Sequence, residues 1–325
     1  SPGAGKSTFM KKIGNALLDL GYDVEFHHCS SDPDSLDGIM VPALQVAVID
    51  GTAPHVVDPQ YPGCFDEIIN LGQFWDQDRL VAHKDEIIRL HTAIARLFQR
   101  AYRLLKAARL LYEDWEQTNS QSLDLTYANR IAKELILTVF AGVTSTGSGK
   151  LRKLFASAIT PRGLVHYLDS ILAPVSRCYV ITGDPGTGRS TLLQKVIDCA
   201  LAKGLDVEAY YCPFDPLKPE HVIIPALDIA LTVSAPPHIY PLVKAHRYID
   251  MNAAVNQQSI ANHAAANEYN QTMYKNLLNQ AILNIKQAKE LHDVLESFYT
   301  PTFDFKGIEQ LCEQTLDRIL RHSKQ

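Results

Sequence analysis

The amino-acid sequence predicts an α/β fold that is built twice in one chain of 325 residues. A glycine-rich loop with the spacing of a phosphate-binding loop occurs at residues 1–8 and again at residues 183–191. Residues 1–55 also align with residues 184–238 without a gap, and about 20 of the 55 paired positions are identical. A match of that length predicts the tandem duplication of a whole domain rather than a short solenoid repeat.

Each loop approximates the pattern G-x-x-x-x-G-K-[ST], in which glycines allow backbone N–H groups to surround a phosphate. The first copy reads SPGAGKST and the second reads GDPGTGRST, so Arg189 stands where the pattern has lysine. Lys6 is expected to reach the phosphates of ATP, and the Ser7 hydroxyl is expected to bind Mg²⁺. The predicted phosphate-binding residues are Gly3, Ala4, Gly5, Lys6, Ser7, Thr8, Gly183, Gly186, Thr187, Gly188, Arg189, Ser190 and Thr191.

An apolar run at Cys178–Thr182 leads into the second loop and is typical of a buried strand. The first loop has no such run before it and lacks the leading glycine of the pattern. We therefore expect the chain to begin inside its first domain, with roughly thirty residues and the first strand of that domain absent. The predicted domains are residues 1–145 and residues 146–325.

The elements after the first loop follow in a recognisable order. Apolar side chains recur at helical spacing up to Leu20, and Gly21 predicts the end of this helix. Val24–Cys29 and Val46–Ile49 then predict two strands, the second of which ends at Asp50. This order is typical of an α/β nucleotide-binding core with a parallel sheet and flanking helices, in which ligands bind at the carboxyl ends of the strands.

Both halves then continue into long segments without glycine or proline, at residues 73–141 and 242–300. These segments are rich in strong helix formers. Polar breaks at Thr118–Ser122 and at Thr300–Thr302 predict a long helix, a turn and a return helix in each half. Such a helical hairpin could serve as a lid, as an arm that binds a protein partner, or simply as packing.

Four residues of the first half are candidates for catalysis: Lys6, Asp50, Asp32 and His55. An aliphatic strand that ends in Asp50 is typical of an Mg²⁺-binding carboxylate, although Asp-Gly is also a common turn pair. Asp32 and His55 follow predicted strands and could orient an acceptor group, or could simply form turns. In the second half Val233 takes the place of Asp50, which predicts a degenerate second site.

Polar residues also recur at paired positions of the two halves. Three residues of the first half, Cys29, Asp32 and His55, fall on Cys212, Asp215 and His238 in the second. Their recurrence fits either a shared site or a shared backbone geometry in the turns.

Composition excludes several classes of function. The net charge is −5 and the isoelectric point is about 6.2, so no general basic surface predicts nucleic-acid binding. Six cysteines without a C-x-x-C pair are typical of reduced thiols in the cytoplasm. No apolar stretch reaches 18 residues, so the sequence predicts no membrane span.

The segments SPGAGKSTFMKKIG, CSSDPDSLDG, VAVIDGTAPHVVDP and GDPGTGRSTLL together resemble a bacterial family of tandem P-loop ATP-binding proteins. The resemblance extends over nearly the whole chain. It implies two tandem P-loop NTPase domains and ATP binding on Lys6, Ser7 and Thr8. It implies no particular reaction.

The leading prediction is an ATP-binding protein, and an ATPase, with one competent site in the first half and one degenerate site in the second. One alternative is a kinase for a small molecule or nucleotide, with Asp32 and His55 near the acceptor and helix arginines such as Arg96 or Arg100 over the phosphates. The other alternative is a non-catalytic switch or scaffold that changes with bound nucleotide and binds a partner through its hairpins.

Overall fold

The computed structural model describes residues 2–52, 56–145, 147–240 and 245–322. The chain divides into two compact units. Unit 1 contains Ser1–Arg100 together with Leu283–Gln325, and unit 2 contains Ala101–Ile282. Unit 1 therefore draws residues from both halves of the repeat, and so does unit 2. The division of the repeat itself after residue 145 stays a prediction.

The secondary structure is mixed α/β, as predicted. The first half forms α1 (Lys6–Asp19), β1 (Glu25–His28), β2 (Leu36–Val41), β3 (Val46–Ile49), α2 (Gln77–Val81), α3 (Lys84–Gln121) and α4 (Leu125–Val139). The second half forms β4 (Leu151–Leu154), β5 (Ser157–Thr160), β6 (Gly163–His166), α5 (Leu168–Leu172), β7 (Arg177–Thr182), α6 (Arg189–Ala202), β8 (Val207–Tyr211), β9 (Pro219–Ile224), β10 (Ile229–Val233), β11 (Arg247–Asp250), α7 (Gln257–Ala261), α8 (Ala264–Tyr299) and α9 (Phe305–His322).

Unit 2 is built on a six-stranded sheet with the order β11-β7-β10-β9-β8-β4. Strand β7 runs parallel to β10 and β11, and β8 runs parallel to β4, whereas β9 is antiparallel to both β8 and β10. The sheet is therefore mixed, and the prediction of a parallel sheet is wrong. A parallel neighbour needs a crossover of about a dozen residues or more, whereas only residues 212–218 join β8 to β9.

Unit 1 contains a three-stranded antiparallel sheet with the order β1-β2-β3. It matches the β8-β9-β10 part of unit 2 in backbone detail. The Cys29 N–H donates to the Ser35 carbonyl at 3.0 Å, and the Cys212 N–H donates to the Lys218 carbonyl at the same distance. Gln45 and Asp228, which are paired in the repeat, both have a φ of 53°. The sequence repeat is thus a repeat of structure over this segment.

The cores explain why these segments fold as they do. In unit 2, apolar side chains of α6 such as Leu193 and Val196 pack on one face of the sheet, and Leu168 and Tyr240 pack with residues of the other face. Burial on both faces accounts for the largely apolar sequence of β10, whose one polar residue, Thr232, is bonded to His221. In unit 1, Ile13 of α1 belongs to a separate core with residues of β2 and α9.

The predicted order of long helix, turn and second helix is confirmed in both halves. An aspartate begins each second helix: Asp124 Oδ1 accepts the N–H groups of Thr126 and Tyr127, and Asp304 does the same for the start of α9. Each amphipathic second helix packs on a helix that belongs to the other half of the repeat. Helix α4 of the first half packs on α6 in unit 2, and α9 of the second half packs on α1 in unit 1.

No helix in the described ranges is both long enough and apolar enough to cross a bilayer.

Candidate functional site

The first glycine-rich loop adopts the left-handed backbone that its glycines allow. Gly3 has a φ of 66° and Gly5 a φ of 74°, and α1 begins directly afterwards at Lys6. The first N–H groups of a helix have no partner within that helix, so this end favours an anion. Ala4 is buried, whereas Thr8 is exposed. The loop therefore turns through two left-handed glycines directly before the start of α1.

Lys6 and Asp50 lie next to each other in unit 1. The Lys6 Nζ is 3.6 Å from Asp50 Oδ2, and their side chains are 25% and 13% exposed. Asp50 follows β3, and its Oδ1 accepts hydrogen bonds from the N–H and the hydroxyl of Thr52. Two residues that are 44 positions apart in sequence are thus close together in the folded chain. The pair would offer an ammonium to phosphate and a carboxylate to Mg²⁺.

The Ser7 hydroxyl oxygen accepts the Leu36 N–H at 2.9 Å. Leu36 begins β2, so this bond joins the first turn of α1 to the start of the central strand of the sheet. A hydroxyl oxygen has a second lone pair and its own proton, so this bond is compatible with the predicted Mg²⁺ contact of Ser7.

Asp32 is held in a turn rather than aimed at the loop. Its carboxylate accepts hydrogen bonds from the Ser35 hydroxyl and the Asp34 N–H, and it lies 3.5 Å from Lys289 Nζ. Burial alone would raise the pKa of Asp32, but the Ser35 hydrogen bond and the Lys289 charge lower it overall. Asp32 is thus an ionised partner in a charged contact. His55, the other acceptor-site candidate, lies outside the described residues.

A segment of α8 contacts the first loop, which the sequence analysis does not anticipate. Glu296 Oε1 accepts the Gly3 N–H at 3.2 Å. A Cβ added to Gly3 would lie 2.9 Å from the Thr300 hydroxyl oxygen and 3.3 Å from the Glu296 carbonyl oxygen. The Glu296 carboxylate therefore accepts a backbone N–H group that a bound phosphate would need.

The second loop has the same backbone geometry and a closer helix contact. Gly186 and Gly188 have φ values of 82° and 88°, and α6 begins at Arg189. A Cβ added to Gly186 would lie only 2.1 Å from the Glu116 carbonyl oxygen of α3. The Asn119 side-chain amide, also on α3, donates to the Pro185 carbonyl at 2.7 Å in a buried contact. The backbone of α3 thus lies directly against this loop.

A cavity of about 440 Å³ lies beside the second loop. Its lining includes Gly186, Arg189, Ser190, Thr191, Lys218 and Val233. Thr187, another predicted phosphate ligand, is buried and donates its hydroxyl proton to the Asp184 carbonyl. Gly183 has a φ of 139° at the end of β7. Five of the predicted phosphate-binding residues of the second half, Gly186, Gly188, Arg189, Ser190 and Thr191, therefore line one cavity, whereas Gly183 and Thr187 do not belong to its lining.

Charged side chains of α3 reach this cavity and pair there with residues of the sheet edge. Arg109 lies 2.5 Å from Asp215 and 2.9 Å from Glu113, and the Lys218 Nζ lies 2.6 Å from both carboxylate oxygens of Glu116. The Arg189 guanidinium approaches the Tyr112 hydroxyl at 3.5 Å. Arg96 and Arg100, which sequence reasoning links to the phosphates, are exposed. Arg109 is the helix arginine that lines the cavity.

The second site differs from the first where the sequence predicts a difference. Val233 ends β10 at the position of Asp50 and is 5% exposed, so no carboxylate stands there. Asp184, in the loop itself, has a raised pKa because burial disfavours its charge, although Arg189 opposes that effect. The second loop thus has a guanidinium in place of an ammonium and an apolar residue in place of the expected Mg²⁺ ligand.

A buried group of three polar side chains forms part of the same edge. His238 Nε2 lies 3.6 Å from Cys212 Sγ and 3.9 Å from Glu220 Oε1. Burial raises the pKa of the Cys212 thiol, raises that of Glu220 to about 7 and lowers that of His238 to about 4. Sequence reasoning singles out Cys212 and His238 but misses Glu220. The repeat could have identified Glu220, because the paired residue of the first half, Asp37, is also acidic.

Comparison of the chain with protein-family models, with curated proteins and with solved structures gives no match. The resemblance to tandem P-loop ATP-binding proteins therefore stays a prediction.

Proposed function

We propose that the protein binds ATP with Mg²⁺ at the first loop and hydrolyses it there. The observation that carries this proposal is the 3.6 Å contact between Lys6 Nζ and Asp50 Oδ2 beside a left-handed glycine loop that opens a helix. Each member of this pair has a role with Mg·ATP. The ammonium of Lys6 would bind the phosphates, and the carboxylate of Asp50 would bind the Mg²⁺ ion. Each charge of the pair would then have an opposite charge as its partner.

The second loop is proposed to bind a phosphate-bearing ligand without efficient hydrolysis. The reason is chemical: Arg189 offers a planar fork instead of a compact ammonium, and Val233 offers no ligand for Mg²⁺. The cationic groups of Arg109, Arg189 and Lys218 at its cavity favour an anionic ligand, although nearby carboxylates pair with two of them.

The test compares two substitutions at paired positions of the two loops. Lys6→Ala is expected to lower Mg²⁺-dependent phosphate release from ATP by about 100- to 1000-fold, the usual cost of losing one preorganised contact to the transferred group. Arg189→Ala is expected to leave most of the turnover. Phosphate release is measured without any acceptor, because phosphate transfer that occurs only with an added metabolite would favour a kinase. Equal losses in the two variants would contradict the assignment of the competent site.

A second candidate function is a nucleotide-dependent switch, and the contact between Glu296 and Gly3 favours it. A bound phosphate would compete with the Glu296 carboxylate for the Gly3 N–H and would repel it. Displacement of Glu296 would release a segment of α8 from the loop. Nucleotide binding would therefore change the contact between α8 and the loop without any hydrolysis.

Glu296→Gln tests this second candidate, with Glu290→Gln on the exposed side of the same helix as control. Removal of the competing charge is expected to tighten ATP binding by about 3- to 10-fold, which corresponds to roughly one hydrogen bond. The control is expected to leave the affinity unchanged. Titration calorimetry with Mg·ATP measures both. Equal affinities in all three proteins would exclude a role for Glu296 in sensing the nucleotide.

A further inference from the structure

Three side chains with metal-binding donor atoms meet in unit 2, at the edge of the sheet that carries the second loop. Cys212 directly follows β8, Glu220 lies on β9, and His238 follows β10. Their ligand atoms, Sγ, a carboxylate oxygen and an imidazole nitrogen, all lie within 4.8 Å of one another. One ligand thus lies on the central strand of three neighbouring strands, and the other two lie in the segments that follow the strands on either side of it.

The distances fit a tetrahedral transition-metal site. With zinc–sulfur and zinc–nitrogen bonds of about 2.3 and 2.1 Å, tetrahedral angles place the two donor atoms about 3.6 Å apart. The Cys212 Sγ and His238 Nε2 atoms are 3.6 Å apart. The Glu220 Oε1 atom is 3.9 Å from His238 Nε2 and needs only a small movement inward.

Within the described ranges, one oxygen of the Glu220 carboxylate lacks a hydrogen-bond partner, although the Arg189 charge acts on this carboxylate. The Glu220 side chain is 12% exposed, and its Oε2 atom is buried without a hydrogen-bond partner within the described ranges. Cys212 and His238 are 6% and 3% exposed. A buried polar atom without a partner is costly, and a bound cation removes that cost. We propose that Cys212, Glu220 and His238 bind one zinc-class divalent metal ion beside the second phosphate loop.

The donor set selects the class of metal. A sulfur, a nitrogen and one oxygen suit zinc or a similar borderline ion, whereas Mg²⁺ and Ca²⁺ prefer oxygen ligands alone. Binding converts the Cys212 thiol to a thiolate and releases its proton to solvent. Thiolate and carboxylate together then balance the two positive charges of the metal.

The fourth coordination position faces the cavity. Cys212 and Glu220 both belong to its lining, together with Arg189 and Gly186 of the loop. Three protein ligands and one open position are the arrangement of zinc sites that bind a water or a substrate atom. The fourth ligand is therefore a water molecule or an oxygen of the anion that occupies the second loop.

The internal repeat supports the donor set independently of the geometry. Cys29, Asp37 and His55 stand at the paired positions of the first half, so all three donor types recur. The two residues before this cysteine differ between the halves. His27–His28 in the first half corresponds to Tyr210–Tyr211 in the second. Since His55 lies outside the described residues, the proposal is confined to unit 2.

The experiment uses the whole chain carrying Cys29→Ser, which removes any thiolate site of the first half. The protein is stripped with a chelator and titrated with Co²⁺, and the thiolate-to-cobalt charge-transfer absorption is recorded. One equivalent of Co²⁺ is expected to produce the band, and Zn²⁺ is expected to abolish it by displacement. Absence of the band in the folded protein would overturn the proposal.

Two further substitutions locate the site. Cys212→Ser is expected to abolish the band, whereas Cys199→Ser, on α6 of the same unit, is expected to retain it. Glu220→Gln keeps the size of the side chain and is expected to weaken Co²⁺ binding by at least about 10-fold while the thiolate band survives at saturation. If Cys212→Ser does not fold, Glu220→Gln decides. Unchanged Co²⁺ affinity in Glu220→Gln, or a full band in folded Cys212→Ser, would refute the site.

Discussion

Substitution of Gly186 by alanine measures how tightly α3 lies against the second phosphate loop. An added Cβ at Gly186 would meet the Glu116 carbonyl oxygen at 2.1 Å and the Glu116 carbonyl carbon at 2.9 Å. These are backbone atoms of a helix, so relief requires that the helix or the loop moves. Gly188, two residues on, is a matched control: its φ is 88° against 82°, but an added Cβ would meet nothing closer than 3.7 Å.

The expected magnitudes follow from this difference. Alanine in the left-handed region costs about 1–2 kcal/mol, and a gain of about 0.4–1 kcal/mol from the stiffer unfolded chain partly offsets it. Gly188→Ala is therefore expected to lower the free energy of unfolding of unit 2 by about 1 kcal/mol. Gly186→Ala carries the same backbone cost and adds about 1–3 kcal/mol for overpacking against the helix.

The two tryptophans of the chain make the measurement specific to a unit. Trp115 is 4% exposed in unit 2, where it stacks on Tyr274 at 6.1 Å, whereas Trp75 belongs to unit 1. In a Trp75→Phe background, the shift of tryptophan emission during urea unfolding reports Trp115 alone. The slope of the transition also shows whether a variant changes the surface exposed on unfolding. Equal losses in Gly186→Ala and Gly188→Ala would refute the close helix contact.

Two other perturbations have equally defined outcomes. Arg109→Ala is expected to destabilise unit 2 by about 1.5–3 kcal/mol, because it removes the hydrogen bond of a charged group to the largely buried Asp215 carboxylate, which keeps Lys218 Nζ at 3.3 Å. Lys289→Ala, at the corresponding but more exposed contact with Asp32, is expected to cost unit 1 only about 0–1 kcal/mol, and Trp115 and Trp75 emission read the two units separately. Because the folded pKa of Asp32 is below its ordinary value of 3.8, its contribution to stability is present above that value and is lost as the pH falls through the folded pKa. Lys289→Met is therefore expected to make the acid loss of unit 1 stability shallower, and an unchanged slope would contradict the charge coupling.

Local patterns in the sequence were sufficient for much of the site. The loop at Lys6 and the aliphatic strand that ends at Asp50 each have a short signature, and both occur where the pattern predicts them. The repeat identifies the second loop and its missing carboxylate at Val233 in the same way. These features are local, because a glycine loop or a buried strand is encoded within a few neighbouring residues.

Features that depend on distant partners could not be predicted. The apolar face of α4 indicates that something covers it, but the pattern does not say that the partner is α6 rather than α1. The contact of Glu296 with Gly3 joins residues 293 positions apart. Strand β9 escapes prediction for a different reason: its antiparallel pairing depends on the short turn at Asp215, which resembles an ordinary loop in sequence.

The crosswise packing of α4 and α9 has a consequence for the origin of the chain. The helix of the first half closes the core around α6, and the helix of the second half closes the core around α1. An ancestor with a single half could have obtained the same packing from a second copy, as a homodimer whose subunits exchange their last helices. Duplication and fusion would then have turned a segment-swapped dimer into one polypeptide. Once both halves were on one chain, each loop could diverge together with the helix of the other half that contacts it, α8 at the first loop and α3 at the second.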